Sequence, residues 1–202
     1  MASGANLIVG LTGGMGCGKS TAAELFSAHG FRRLDADQVV RDELLTDPEV
    51  IAAIRAQLGA GCVAADGAVN RRRVAEVVFH NEARLRWLED LLHPRLRARW
   101  RALFAASAGQ KFIVEVPLLF EKRMENWFDF VVCVTADSAT QIRRLELRGL
   151  PPELARQRLA RQLPLARKCE LADFVLLNDG SLEFLRDQVN LLAPRLLHYQ
   201  IA

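Results

Sequence analysis

The stretch GLTGGMGCGKST, from Gly10 to Thr21, puts five glycines into the nine positions 10–18, directly after an apolar run. Glycine loses more backbone freedom on folding than any other residue, so such a cluster is unfavourable unless something must come very close to the main chain. Its flanks narrow the choice. Residues 6–11 form an apolar run of strand length, and in residues 19–29 apolar side chains recur at helical spacing (Ala22, Leu25, Phe26) until Gly30. The order is strand, glycine turn, helix.

The same alternation continues along the chain. Residues 31–34 read as a second short strand leading into Asp35-Ala36-Asp37, and helical patterns cover 39–45, 48–58, 71–79 and 82–106. Pro94 lies inside the last of these and is expected to kink or split it near His93. Residues 112–116 and 130–135 read as buried strands, 138–148 as a helix ended by Gly149-Leu150-Pro151-Pro152, and 153–161 as a resumed helix. A strand at 174–177 and a helix at 182–197 complete the pattern. Short apolar strands alternating with helices predict an α/β domain with a mainly parallel sheet, interrupted by an all-helical insertion at 48–106.

Gly13-x-x-x-x-Gly18-Lys19-Ser20 matches the P-loop pattern, in the strand-to-helix setting that its mechanism requires. Glycines let backbone N–H groups curl around phosphate oxygens, and the helix beginning at Lys19 offers its unpaired N–H groups and positive dipole end to the same anion. Gly13, Gly14, Met15, Gly16, Cys17, Gly18, Lys19, Ser20 and Thr21 are therefore the expected contacts of ATP. Lys19 is expected on the β- and γ-phosphates and Ser20 on Mg²⁺. Cys17 occupies a free position of the motif and reads as a small residue that fits. The fold class that follows is α/β, a three-layer P-loop NTPase fold with a mainly parallel sheet, a helical insertion and a further helical segment after residue 148.

Composition and charge exclude several classes. Half the residues are apolar and a quarter charged, which argues against disorder, and the apolar runs fall short of the ~20 residues of a membrane span. No Lys or Arg precedes the first apolar run, so a secretory leader is not expected, and the four cysteines show no zinc or CxxC spacing. They read as reduced thiols of a cytoplasmic protein. Residues 143–168 hold eight basic residues against Glu146 and Glu153, on a chain whose net charge is only +3. No aromatic residue interleaves these cations, so nothing there forms a stacking platform for single-stranded nucleic acid. A compact polyphosphate ligand is the better match. The Asn-Lys-x-Asp motif of GTPases is absent. A short P-loop chain with a basic helical segment suits a small-molecule kinase, whose lid closes over ATP and excludes water.

Asp35 and Asp37 follow the second strand, and in an open parallel sheet ligands gather beyond the carboxyl ends of strands. One carboxylate there can orient or deprotonate an acceptor hydroxyl, and the other can help hold Mg²⁺ through water. Asp37 is assigned the hydroxyl and Asp35 the structural or metal side, and one of the two is expected to N-cap a helix starting near Val39. Arg144 and Arg148, four apart, are expected on one helix face, aimed at the transferring phosphoryl group. Glu115 loosely echoes the acidic end of a Walker B strand, and His93, before Pro94, is either a ligand contact or a local hydrogen-bonding residue.

Over essentially its whole length the chain resembles the dephospho-coenzyme A kinase family, of the P-loop nucleoside-monophosphate-kinase-like group. The resemblance rests on GLTGGMGCGKST, DADQVVRD (35–42), LLHP (91–94), VPLLFE (116–121), QIRRLELR (141–148) and ADFVLLNDG (172–180), in that order. It implies ATP-dependent phosphorylation of the ribose 3′-hydroxyl of dephospho-CoA, the last step of coenzyme A synthesis. It also implies a nucleotide-binding core (1–47, 107–148 and 169–202), a helical acceptor-binding domain (48–106) and a lid (149–168). By the same resemblance Asp37 is the catalytic carboxylate, with Lys19, Arg144 and Arg148 completing the catalytic set. His93, Pro94, Pro117 and Leu118 line the acceptor side. Met15 and Cys17 stand where the family often has Ile and Ser or Ala, and Glu115 is not a position recognised as fixed. A monomer is the expected state, with no nucleic-acid or membrane partner. The alternatives are a kinase of this fold acting on a nucleoside monophosphate or a sugar, and a nucleotide-binding regulator without turnover.

Overall fold

The computed structural model describes residues 5–198. These form two compact units, residues 36–107 on one side of the division and 5–35 with 108–198 on the other.

The larger unit is built on a five-stranded sheet of β1 (Leu7–Gly13), β2 (Arg32–Asp35), β3 (Lys111–Glu115), β4 (Phe130–Thr135) and β5 (Phe174–Leu177). The spatial order is β2-β3-β1-β4-β5 and every pairing is parallel. Sequence and space agree on the strands to within two residues at each end. The fully apolar runs of β1, β3 and β4 exist because a central parallel strand is covered on both faces. On one face lie α1 (Lys19–Ser27) and the C-terminal helix (Leu182–His198), whose Ala22, Phe26, Leu185 and Val189 pack with Leu7, Val9, Leu11, Ile113, Val132 and Val134 in one buried cluster. Each such large side chain contributes roughly 1.5–3 kcal/mol through its burial. On the other face, a Cβ placed on Gly10 would run into Phe128 and Leu119, so the 116–128 connection lies directly on β1. The architecture is the three-layer α/β fold expected.

The smaller unit is helical: α2 (Ala36–Asp42), α3 (Pro48–Leu58), α4 (Arg71–Phe79) and α5 (Glu82–Ala105). It begins at Ala36, earlier than the 48 at which the insertion was expected. Its helix starts are written locally. Asp47, Asn70 and Asn81 cap α3, α4 and α5 by accepting from Glu49 N, Arg73 N and Arg84 N. Such caps each contribute about 1 kcal/mol. Val50, Ile54, Leu58, Val74, Val78, Leu92, Leu96 and Trp100 are among its buried side chains.

Three local expectations are corrected. Pro94 does not split its helix: α5 runs unbroken through it for 24 residues. The helix after β2 starts at Ala36 rather than near Val39, so Asp37 lies in its first turn instead of ahead of it. The basic segment holds two helices beyond α6 (Ser138–Glu146), namely α7 (Pro152–Ala160) and α8 (Leu165–Leu171), of which the second was not foreseen. Seven residues after Pro164 are too few for a clear helical period to be read from sequence. The C-terminal helix is α9.

Candidate active site

β1 delivers the chain into the glycine loop at Gly13. There φ is 141° and a Cβ would collide with the Val134 carbonyl oxygen of the neighbouring strand. Gly18 closes the loop in the left-handed region at φ 92°, where a Cβ would strike Asn178 Nδ2. The glycines at the two ends of the motif are thus demanded by the protein's own packing.

Three side chains from outside the loop grip its carbonyls. Gln141 Nε2 donates to Met15 O at 3.0 Å, Arg144 Nη1 to Gly16 O at 3.4 Å, and Asn178 Nδ2 to Cys17 O at 2.8 Å. In a trans peptide the carbonyl and the following N–H point to opposite sides. Holding these three carbonyls outward therefore turns the N–H groups of Gly16, Cys17 and Gly18 the other way. Arg144 Nη2 also donates to Asn178 Oδ1 at 3.5 Å, linking two of the holders. Met15 N donates to Gln162 Oε1 at 3.2 Å.

Lys19 opens α1, and its Nζ donates to Gly13 O at 3.1 Å and Gly14 O at 2.9 Å. Burial pushes its ammonium below the ordinary lysine range, with the nearby Lys168 cation adding to the shift and Cys17 opposing it. Cys17 is fully buried, accepts from Gln141 Nε2 at 3.0 Å, and has its thiol pushed up by burial. A protonated, enclosed thiol is a packing group rather than a nucleophile.

Ser20 Oγ donates to Glu115 Oε2 at 2.9 Å. The other oxygen, Oε1, accepts from Arg33 Nε at 2.6 Å. Glu115 is only 4% exposed and sits level with Asp35 across the β2–β3 pairing. Ser20, Glu115 and Asp35 therefore offer hard oxygen donors around the start of α1. Mg²⁺ prefers such donors and needs only one or two carboxylates beside phosphate oxygens and water. The residues present fit that ion, while no cluster of three or more His, Cys, Asp or Glu suited to a metal occurs among the described residues.

The other expected site residues fall as follows. Thr21 is exposed on the first turn of α1. Pro117 and Leu118 follow β3, with Pro117 O accepting from Thr12 Oγ1 at 3.4 Å and Leu118 exposed. Arg148 is exposed and lies beyond the end of α6, so it does not share a helix face with Arg144 as expected. Asp37 is exposed on α2, and His93 and Pro94 lie in α5, all three in the helical unit.

Four residues at the loop were not named as site residues from sequence, or were given little weight: Gln141, Asn178, Gln162 and Glu115. Signals existed for two of them. Gln141 precedes Arg144 by three and so shares its face of α6, and Asn178 directly follows β5, at the carboxyl edge of the sheet. Nothing local marks Gln162.

The family model described as CoaE, dephospho-CoA kinase, matches residues 7–183. A dephospho-CoA kinase of Syntrophotalea carbinolica is 40% identical over 197 residues, covering 95% of this chain and 92% of the relative. Among solved structures, a protein from Thermus thermophilus superposes with a TM-score of 0.82 at 32% identity, over 94% of this chain and 98% of the other. A dephospho-CoA kinase from Campylobacter jejuni gives 0.68 at 25% identity, over 93% and 95%.

Proposed function

The chain belongs to the dephospho-CoA kinase family, and from that premise we infer that it moves the γ-phosphoryl group of ATP to the ribose 3′-hydroxyl of dephospho-CoA. The products are ADP and coenzyme A, so the reaction is the last step of coenzyme A synthesis. The observation that carries this reading is the Gly13–Ser20 loop, with three of its carbonyls held outward by Gln141, Arg144 and Asn178.

The roles follow from chemistry. The loop amides from Gly13 to Thr21 cradle the triphosphate, and Lys19 exchanges its carbonyl partners for β- and γ-phosphate oxygens. Asp37 accepts the proton of the 3′-hydroxyl as that oxygen bonds to phosphorus and ADP departs. Arg148, and Arg144 once it gives up the Gly16 carbonyl, offset the charge that spreads over the phosphoryl oxygens. Ser20 would hold Mg²⁺ directly, with Glu115 orienting the hydroxyl and Asp35 reaching the ion through water. Bound there, the ion would supply charge neutralisation to the β- and γ-oxygens. His93, Pro94, Pro117 and Leu118 line the acceptor side. In this reading segment 48–106, inside the compact unit 36–107, is the acceptor domain, and 149–168 is the lid that excludes water.

The protein is read as a cytoplasmic monomer with small-molecule partners and neither nucleic acid nor membrane. No helix among the described residues is long and apolar enough to cross a membrane. The test is ADP release measured with dephospho-CoA, AMP, CMP, gluconate and shikimate, with the product's phosphorylation site read by NMR. Turnover of dephospho-CoA at the 3′ position supports the reading. ADP formed only with gluconate or shikimate overturns it, and ATP binding without turnover of any acceptor favours a regulator.

A further inference from the structure

A fully buried cation lies among the elements that carry the phosphate-binding loop. Lys168 of α8 is fully buried, and its Nζ reaches Glu121 Oε1 at 2.8 Å and the carbonyl oxygen of Pro117 at 3.0 Å. The same carboxylate oxygen accepts from Leu163 N at 2.9 Å. Pro117 O takes a second donor, Thr12 Oγ1, from the end of β1. Gln162, beside Leu163, accepts from Met15 N of the loop. One ion pair thus joins the 117–121 segment to residues 162–168, and both segments touch β1 or the glycine loop.

Stability alone does not explain a charged pair here. Withdrawing two ions from water is expensive, and apolar residues of similar volume in such a place are often neutral or stabilising. Glu121 Oε2 is buried with no hydrogen-bond partner, so part of the desolvation is not recovered. A charged pair differs from apolar packing in being directional. It fixes one carbonyl, one amide and one carboxylate at set positions, where hydrophobic side chains would tolerate sliding.

We propose that Lys168 and Glu121 are positioning residues for phosphoryl transfer, tying Pro117 and Leu118 on the acceptor side to the C-terminal part of the lid segment. This deepens the kinase reading above and rests on it. Neither residue need touch substrate. Their effect is on the geometry of groups that do, and near-attack geometry is sensitive: a misplacement of about 1 Å costs on the order of 10²-fold in rate. Lys168 also lies close enough to Lys19 to help lower the proton affinity of that ammonium.

The experiment compares the apolar double variant Glu121→Leu/Lys168→Met with Lys168→Met, Lys168→Arg and Glu121→Gln. It measures melting temperature, the Kd of a non-hydrolysable ATP analogue, and kcat and KM with dephospho-CoA. The expected double variant melts within a few degrees of wild type and binds the analogue within about threefold, yet loses at least about tenfold in kcat/KM for the acceptor. Lys168→Arg, which keeps the charge, recovers a large part of what Lys168→Met loses. Full turnover by the double variant overturns the proposal, as does a loss that only tracks the folded fraction. Should the double variant not fold, Glu121→Gln, which removes the charge at nearly constant shape, decides: a raised acceptor KM supports positioning and unchanged constants refute it. Failure of all four to fold makes the pair structural and refutes it too. A wild type that phosphorylates another acceptor instead refutes the substrate assignment alone, and the variants are then judged on that acceptor. A wild type that turns over no acceptor refutes both.

Discussion

The hydroxyl of Ser20 donates to Glu115 Oε2 at 2.9 Å, joining the first turn of α1 to the last residue of β3. With Arg33 occupying the other carboxylate oxygen, Glu115 is held from both sides and in turn fixes the rotamer of the P-loop serine. Groups that orient a metal-binding side chain typically matter by 10–100-fold in metal affinity or activity. Glu115→Gln is expected to lower kcat by about that range and to raise the Mg²⁺ concentration needed for half-maximal rate. A Mg²⁺ titration at saturating ATP checks this, and an unshifted titration curve would show that Glu115 does not set the serine.

Lys19 yields a prediction with a sign. Burial lowers its proton affinity in the folded protein, so between that lowered value and the ordinary lysine value the unfolded chain holds the extra proton. Stability therefore rises with pH across that window, and below it the charged lysine is a burden on the fold. Lys19→Met is expected to melt no lower than wild type at pH 7 and to lose this part of the alkaline gain. It is also expected to lose at least ~10²-fold in kcat and to show almost no melting shift with an ATP analogue. Thermal scans from pH 7 upward, with and without the analogue, test both halves. A Lys19→Met protein that the analogue still stabilises normally would remove the lysine from the site.

Asn178 and Gln141 hold loop carbonyls. Asn178→Ala releases Cys17 O, and Gln141→Ala releases Met15 O. Each is expected to weaken binding of an ATP analogue about tenfold, an effect in the range of one lost buried hydrogen bond, while KM for dephospho-CoA changes little. Calorimetric titration gives the first number and steady-state kinetics the second. A larger change in acceptor KM than in nucleotide affinity would contradict this role.

The two carboxylates after β2 separate by kinetics. Asp37→Asn is expected to lower kcat by 10²-fold or more with acceptor KM within a few-fold, because a general base acts in the transition state. Asp35→Asn is expected to act mainly on the Mg²⁺ requirement. Near-normal turnover by Asp37→Asn would move the base to Asp35 or abolish the role.

Much of this was legible in the chain. The strand at 174–177 and the helices at 48–58 and 71–79 agree with the expected bounds residue for residue, because caps, prolines and apolar period all agree there. Pro94 shows the limit of local rules. A proline forfeits one helical hydrogen bond, yet a 24-residue helix whose Leu92, Leu96 and Trp100 are buried continues through it, because packing outweighs the local loss. Glu115 shows another limit: its value depends on Ser20, 95 residues away in sequence, and no spacing rule reports such a meeting.

The sequence by itself determined the strand–loop–helix phosphate motif, the α/β class and the ordered set of motifs that marks the family. Those signals are local in sequence, since glycine φ angles, capping and periodicity act over a few residues. Only the tertiary structure decided who holds the loop. Gln141, Arg144 and Asn178 grip its carbonyls, Glu115 takes its serine, and Lys168 with Glu121 ties together the segments around it. The physical reason is that a hydrogen bond or ion pair depends on distance in space, and parallel strand order brings residues far apart in the chain to one edge of the sheet.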